Sequence, residues 1–156
     1  MKKIDLSTAK TTLGSGYPAP HDEPCRQRQR VRLGDAGGLT QFGVNLLRLA
    51  PGVWSSQRHW HSAEDEFVYV LEGEVVLVSD GGEEVLRAGD CAGFKAGEPD
   101  GHHLQNRSDT EAVVLEVGSR NTDRDAVDYP DIDLTIRGGS RDFLHKDGTP
   151  YPQRQR

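Results

Sequence analysis

The stretch Pro51 to Gly73, PGVWSSQRHWHSAEDEFVYVLEG, constrains this chain more than any other. It carries His59 and His61 two residues apart, then Glu66, then Gly73. Side chains alternate between the faces of a strand, so a His-x-His pair in a strand presents both imidazoles on one side. Ser62 to Asp65 reads as a short polar loop, after which Glu66 opens a run of β-branched and aromatic residues. If that second strand folds back beside the first, Glu66 faces the two histidines. Two imidazole nitrogens and a carboxylate oxygen on rigid strands form a ligand set for a divalent transition metal.

The rest of the chain reads as strands separated by Gly- and Asp-containing turns, with no long helical periodicity. Leu39 to Ala50 forms one expected strand after the turn Asp35 to Gly38, and Phe67 to Val78 gives the strongest strand signal. Glu72-Gly73-Glu74 is expected to break that run into a hairpin, and Ser79 to Gly82 to make another. Further strands are expected at Glu83 to Leu86, Cys91 to Phe94, His102 to Asn106 and Ala112 to Val117, with Lys95 to Gly101 as a loop. Val68 and Val70 share the parity of Glu66, while Phe67, Tyr69 and Leu71 oppose it, so both faces of this strand are apolar. One face lines an interior; the other must be covered by a terminal segment or a second subunit, and a homodimer is expected.

The motif has a known counterpart. Gly52, His59, His61, Glu66 and Gly73 resemble the first motif of the cupin superfamily, with six rather than five residues between Gly52 and His59. Gly89 to Asn106, GDCAGFKAGEPDGHHLQN, is similar to the second motif, with Lys95 in place of its proline and four residues rather than two before the histidine. Counting back from Asn106 selects His102 as the matching histidine; a shifted register would make it His103. The resemblance covers roughly residues 40 to 118. It implies an all-β fold, a jelly-roll-type double-stranded β-helix barrel in a single domain. It also implies a divalent transition metal (Fe, Mn, Ni or Zn) held by His59, His61, Glu66 and His102. Three imidazoles and one carboxylate leave one or two positions of such an ion open, so the site is suited to chemistry on a small molecule.

Around that barrel (residues 25–118), residues 1–24 read as an extended arm broken by Gly14, Gly16, Pro18, Pro20 and Pro24. Residues 119–156 read as a polar tail packing on the barrel or on a partner subunit, with one more short strand at Ile132, Leu134 and Ile136. From Cys25 to Leu33 the chain alternates, with Arg26, Arg28, Arg30 and Arg32 on one side. That is expected to be an edge strand whose arginines are solvated and meet some of the chain's carboxylates, in preference to an anion site.

A net charge of −6 argues against a general nucleic-acid or anionic-membrane partner, and no apolar run is long enough for a membrane span. MKKIDLSTAK carries lysines with no apolar core after them, so it is not expected to be a signal peptide. Two cysteines, Cys25 and Cys91, fit a reducing cytoplasmic setting better than a disulfide framework. The resemblance implies action on a small molecule, first as a sugar or sugar-phosphate isomerase. An Fe(II)-dependent dioxygenase or a non-catalytic metal and small-ligand binding module are the alternatives. A phosphorylated substrate would need cations near the site, for which Arg48, Arg58 and Lys95 are available. Glu64 and Asp65 lie beside the ligands, where they are expected to be solvated loop carboxylates. Trp60, opposed in parity to both histidines, is expected outside the pocket, as is Tyr69, and His103 is expected on the outer face.

Overall fold

The computed structural model describes residues 3–152. Among them the chain forms β1 (Thr11–Leu13), β2 (Gln29–Arg32), β3 (Phe42–Leu49), β4 (Trp60–His61), β5 (Glu66–Glu72) and β6 (Glu74–Ser79). It continues through β7 (Gly82–Arg87), β8 (Cys91–Phe94), β9 (His103–Gln105), β10 (Ala112–Ser119), β11 (Val127–Tyr129) and β12 (Leu134–Ile136). Helix is confined to single turns, the α-helical one spanning Leu33–Ala36.

One sheet has six strands in the order β1-β2-β3-β10-β5-β8, its described pairings all antiparallel. Two three-stranded sheets, β12-β11-β4 and β7-β6-β9, oppose it. Isolated antiparallel bridges, His59 with His102 and Trp54 with Gln105, link the segments bearing β4 and β9. The two small sheets are thereby stitched into one layer, and the barrel is closed by two layers packed face to face.

The alternation in β5 decides which way this barrel faces. Val68 and Val70 are buried, at 6% and 0% exposure, and pack with Leu47, Leu49, Val75, Leu86, Leu104 and Val114 in the main core. Each such aliphatic side chain contributes about 1.5–3 kcal/mol on burial. Phe67, Tyr69 and Leu71, on the opposite parity, are exposed. Glu66 shares the inward parity and ends the row at the open mouth of the barrel. A second core joins the two ends of the chain: Tyr17 and Cys25 pack with Val127, Tyr129 and Leu134.

Gly73 marks a correction. The chain does break there, but β5 and β6 do not pair as a hairpin; β5 pairs with β10 and β8, and β6 with β7 and β9. The residue is where the chain crosses from one layer to the other. Its φ of +72° lies in the left-handed region, and a Cβ would sit 2.8 Å from the Glu111 carbonyl oxygen, so glycine is required on two counts.

The arginine-rich segment also differs from expectation. Only Gln29–Arg32 is strand, because Cys25 lies in a 3-10 turn and Leu33 opens the helical turn. Nor is β2 an edge, since β1 pairs along its other side. Arg26 is solvated, but Arg28 is buried, donating from Nε and Nη2 to the Gly14 carbonyl and from Nη1 to that of Ser55. Arg30 pairs with Glu116 at 3.1 Å. Alternation placed the arginines correctly in parity, and tertiary contacts then enclosed two of them. The short strand expected at Ile132, Leu134 and Ile136 is β12, whereas β11, Val127–Tyr129, was not expected. Both cysteines are free thiols. No described helix is long and apolar enough to cross a membrane.

Candidate metal centre

His59, immediately before β4, and His102, immediately before β9, face each other as a hydrogen-bonded antiparallel pair. The His59 amide donates to the His102 carbonyl at 3.2 Å, and the His102 amide to that of His59 at 2.9 Å. Opposed residues in such a pair share a face, and His61 joins them two residues on. Glu66 arrives from the other layer at the start of β5. Its Oε2 lies 2.9 Å from Nε2 of His102 and 3.6 Å from Nε2 of both His59 and His61. Donor atoms of His59, His61 and Glu66 all fall within 4.8 Å of one another.

The outward-facing nitrogens are anchored. Nδ1 of His59 donates to the Gln57 carbonyl at 2.9 Å, which leaves the Nε2 lone pair aimed at the centre. Nδ1 of His61 meets Oδ2 of Asp125 at 2.6 Å, and the other Asp125 oxygen accepts the Ala63 amide at 2.8 Å. His102 is held by stacking: its ring lies 3.5 Å from that of Phe94 with 1° between planes, and its buried Nδ1 has no hydrogen-bond partner among the described residues. Tyr129 stacks against His59 at 5.6 Å and meets Tyr17 edge-on.

Burial drives the His59 imidazole down to about 4, against the pull of Glu66, so it is neutral near pH 7. Burial alone would raise Glu66, but the His102 hydrogen bond and the surrounding imidazoles outweigh it and hold the carboxyl well below its usual range. Burial would likewise lower His61, and the Glu66 and Asp125 carboxylates outweigh it and raise it. Imidazole lone pairs and an ionised carboxylate pointed at one spot suit a cation. Metal–nitrogen and metal–oxygen bonds of about 2.0–2.2 Å place neighbouring donors about 3 Å apart, close to the spacings observed. His59, His61 and Glu66 therefore fit a divalent metal, and His102, outside that group but 2.9 Å from Oε2 of Glu66, is the fourth candidate ligand.

His103 points away from this cluster, as its parity requires, but it is not on an outer face open to solvent. It is 5% exposed, with Nδ1 donating to the Ser56 carbonyl, Nε2 meeting the Gln105 amide and its ring edge-on to Trp54 at 4.7 Å. The segment Trp54 to Ser56 covers it, which alternation alone does not reveal. Asn106 is fully buried and structural, its amide donating to the carbonyls of Leu49 and Thr110.

The centre opens into a small cleft lined by Trp60, His61, Glu64, Glu66, Lys95 and Asp100, among others. Trp60 thus lines the pocket, contrary to expectation, because the two-residue β4 leaves its edge open to the mouth. Tyr69 stays outside. Glu64 lines the cleft, with Oε1 accepting the Asn121 amide at 2.6 Å, whereas Asp65 ties down the loop by accepting the Ala96 amide at 2.7 Å. Of the three expected cations only Lys95 reaches the cleft. Arg58 is committed to Asp131 and Asp80, and Arg48 to Glu111. Asp125 and Tyr129 were missed in the sequence, since neither lies in a motif and both come from the tail.

The family model described as a cupin domain matches residues 45–118. A crystal structure of a sugar phosphate isomerase from a cupin superfamily, from Silicibacter pomeroyi, is similar at 46% identity, covering 97% of each chain with a TM-score of 0.90. A candidate sugar phosphate isomerase from Acidithiobacillus ferrooxidans is 31% identical, covering 82% of each chain with a TM-score of 0.71. A cupin protein from Bacteroides fragilis is 26% identical, over 59% of this chain and 76% of its own, with a TM-score of 0.52. No curated protein matches the chain. With its barrel, its His-x-His and Glu66 in place and this likeness along nearly its whole length, the chain belongs to the cupin superfamily.

Proposed function

We propose that this protein is a metal-dependent aldose–ketose isomerase acting on a sugar or sugar phosphate. The observation that carries the reading is the 46% identity, over 97% of both chains, to the Silicibacter pomeroyi protein described as a sugar phosphate isomerase. The geometry supports it. A divalent ion held by His59, His61, Glu66 and His102 would supply Lewis acidity toward a substrate oxygen.

Aldose–ketose exchange moves one hydrogen between C1 and C2 and one proton between their oxygens, with no oxidant or reductant. Glu64 lines the cleft beside Glu66, where its carboxylate is placed to take a proton from one carbon and return it to the other. Glu98 and Asp100 offer acceptors to sugar hydroxyls, and Trp60 offers a flat apolar wall. Asp125 and Gln57 keep the imidazoles of His61 and His59 oriented.

The test is anaerobic incubation of the metal-loaded protein with aldose and ketose substrates, phosphorylated and not, followed by NMR. Interconversion that disappears in His61→Ala and Glu64→Gln is expected. Oxygen consumption with a phenolic or hydroxy-acid substrate would replace this reading with a dioxygenase. Tight ligand retention without turnover would replace it with a binding module.

A further inference from the structure

The cleft in front of His61 is a poor place for a phosphate. It is lined by Glu64, Glu66, Glu98 and Asp100 against one cation, Lys95, which is itself paired with Glu98 at 3.6 Å. A second opening lies on the other side of Glu66, and its chemistry is different.

This opening is lined by Arg30, Arg32 and Arg120 together with Asp35, Asn45, Glu64, Glu66 and Glu116. Strand register explains its shape. Gly43 of β3, Gly118 of β10 and Glu66 of β5 are consecutive partners across the sheet, so two residues without side chains lie in line with the ligand carboxylate. The next inward-facing row is Arg32, Asn45, Glu116 and Val68. A trench floored by glycine therefore runs from Glu66 across two strand spacings, about 10 Å, to the guanidinium groups. An ideal Cβ on Gly43 would touch Nε and Nη2 of Arg120, each at 3.6 Å.

The far end is rich in guanidinium groups. Glu116 is taken up by Arg30 at 3.1 Å and by the Asn45 amide at 2.9 Å. Asp35 is the carboxylate that meets both Arg32, at 3.7 Å, and Arg120, whose Nη1 also donates to the Leu39 carbonyl at 2.9 Å. At this end three guanidinium groups thus meet two carboxylates, while Glu64 and Glu66 complete the lining of the opening. In addition, the Nε atoms of Arg30 and Arg32 are buried and meet no acceptor among the described residues. Buried donors without acceptors are costly, and planar guanidinium forks match phosphate oxygens.

We propose that the glycine-floored trench beyond Glu66 receives the phosphate of the substrate between Arg32 and Arg120, while its sugar carbons lie at the metal centre. This rests on the reading of the substrate as a sugar phosphate and assigns Arg32 and Arg120 as phosphate-binding residues. Lys95, on the cleft side, has no part in it.

Calorimetric titration of the metal-loaded full-length protein with inorganic phosphate tests the assignment. Arg32→Gln and Arg120→Gln are each expected to weaken phosphate binding about tenfold or more, the loss of a charge-assisted hydrogen bond, with metal content unchanged. Gly43→Leu fills the trench while keeping every arginine and is expected to weaken it similarly; Arg120→Lys retains the charge and is expected to fall between. Lys95→Gln should match the parent. Absence of phosphate binding, an affinity equal to the parent's in the Arg32, Arg120 and Gly43 variants, or loss confined to Lys95→Gln overturns the proposal. If those variants lose phosphate but no sugar phosphate is isomerised, the trench assignment stands and the isomerase reading falls. If sugar phosphates are isomerised with a KM that the arginine variants leave unchanged, the reverse holds.

Discussion

His59 and His102 sit directly opposite each other, joined by two backbone hydrogen bonds of 2.9 and 3.2 Å. Together with the Trp54–Gln105 bridge that pair links the segments bearing β4 and β9, and it aims both imidazoles at Glu66 in the other layer. The candidate metal centre and the closure of the barrel are therefore one piece of structure.

The pairing separates two adjacent histidines by function. His102→Ala is expected to lower the metal content of purified protein sharply, whereas His103→Ala should retain metal and lose stability instead, since its hydrogen bonds to Ser56 and Gln105 are buried. Elemental analysis and thermal melts of the two variants distinguish the effects. Equal metal content in both would remove His102 from the ligand set.

Asp125 orients His61 from the tail. Asp125→Asn keeps an oxygen for the Ala63 amide but loses the anionic acceptor for Nδ1 of His61. Metal affinity should fall about 10- to 100-fold with the fold intact, measured by competition with a chelator. An unchanged affinity would mean that Asp125 serves the loop alone.

Gly73 should resist replacement. Gly73→Ala meets both a positive φ and a 2.8 Å approach to the Glu111 carbonyl, and is expected to cost about 1–3 kcal/mol in denaturant unfolding. Gly82, also at positive φ but with open space around its Cβ position, separates the two causes. A cost at Gly82→Ala equal to that at Gly73→Ala would remove the contact with Glu111 from the explanation.

Alkaline stability should depend on the second core. Burial pushes the Cys25 thiol up to about 11 and the Tyr17 phenol up to about 12, so the unfolded chain loses these protons first as pH rises. The stabilisation is complete below about pH 9, the unfolded thiol value, and is lost between about pH 9 and 12. Cys25→Ala should flatten the lower part of that slope in unfolding measurements at stepped pH. An unaltered slope would show that Cys25 contributes nothing to it.

The exposed side of β5 carries Phe67, Tyr69 and Leu71, beside Val117 and Leu115 of β10. We propose that a second copy of the chain covers this face, consistent with a patch too apolar to leave wet. Sedimentation should give a dimer for the parent and a monomer for Tyr69→Glu combined with Leu71→Lys. A monomeric parent would refute it.

Much of the centre was written in local pattern. The two-residue spacing of His59 and His61 and the shared parity of Glu66, Val68 and Val70 follow from strand geometry, which a sequence displays directly. The arginines of β2 were also placed on one side by alternation. Their surroundings were not: whether a guanidinium is solvated or enclosed depends on what packs over it, and Gly14, Ser55 and Glu116 come from distant segments.

What the sequence by itself determined is the alternation of inward and outward residues, because side-chain direction in a strand is a local property. Only the tertiary structure decided that His102 rather than His103 faces His59, His61 and Glu66, that Asp125 backs His61, and that Gly43 and Gly118 line up with Glu66. Each of those depends on register between strands far apart in the chain, and register is set by the packing of the whole barrel.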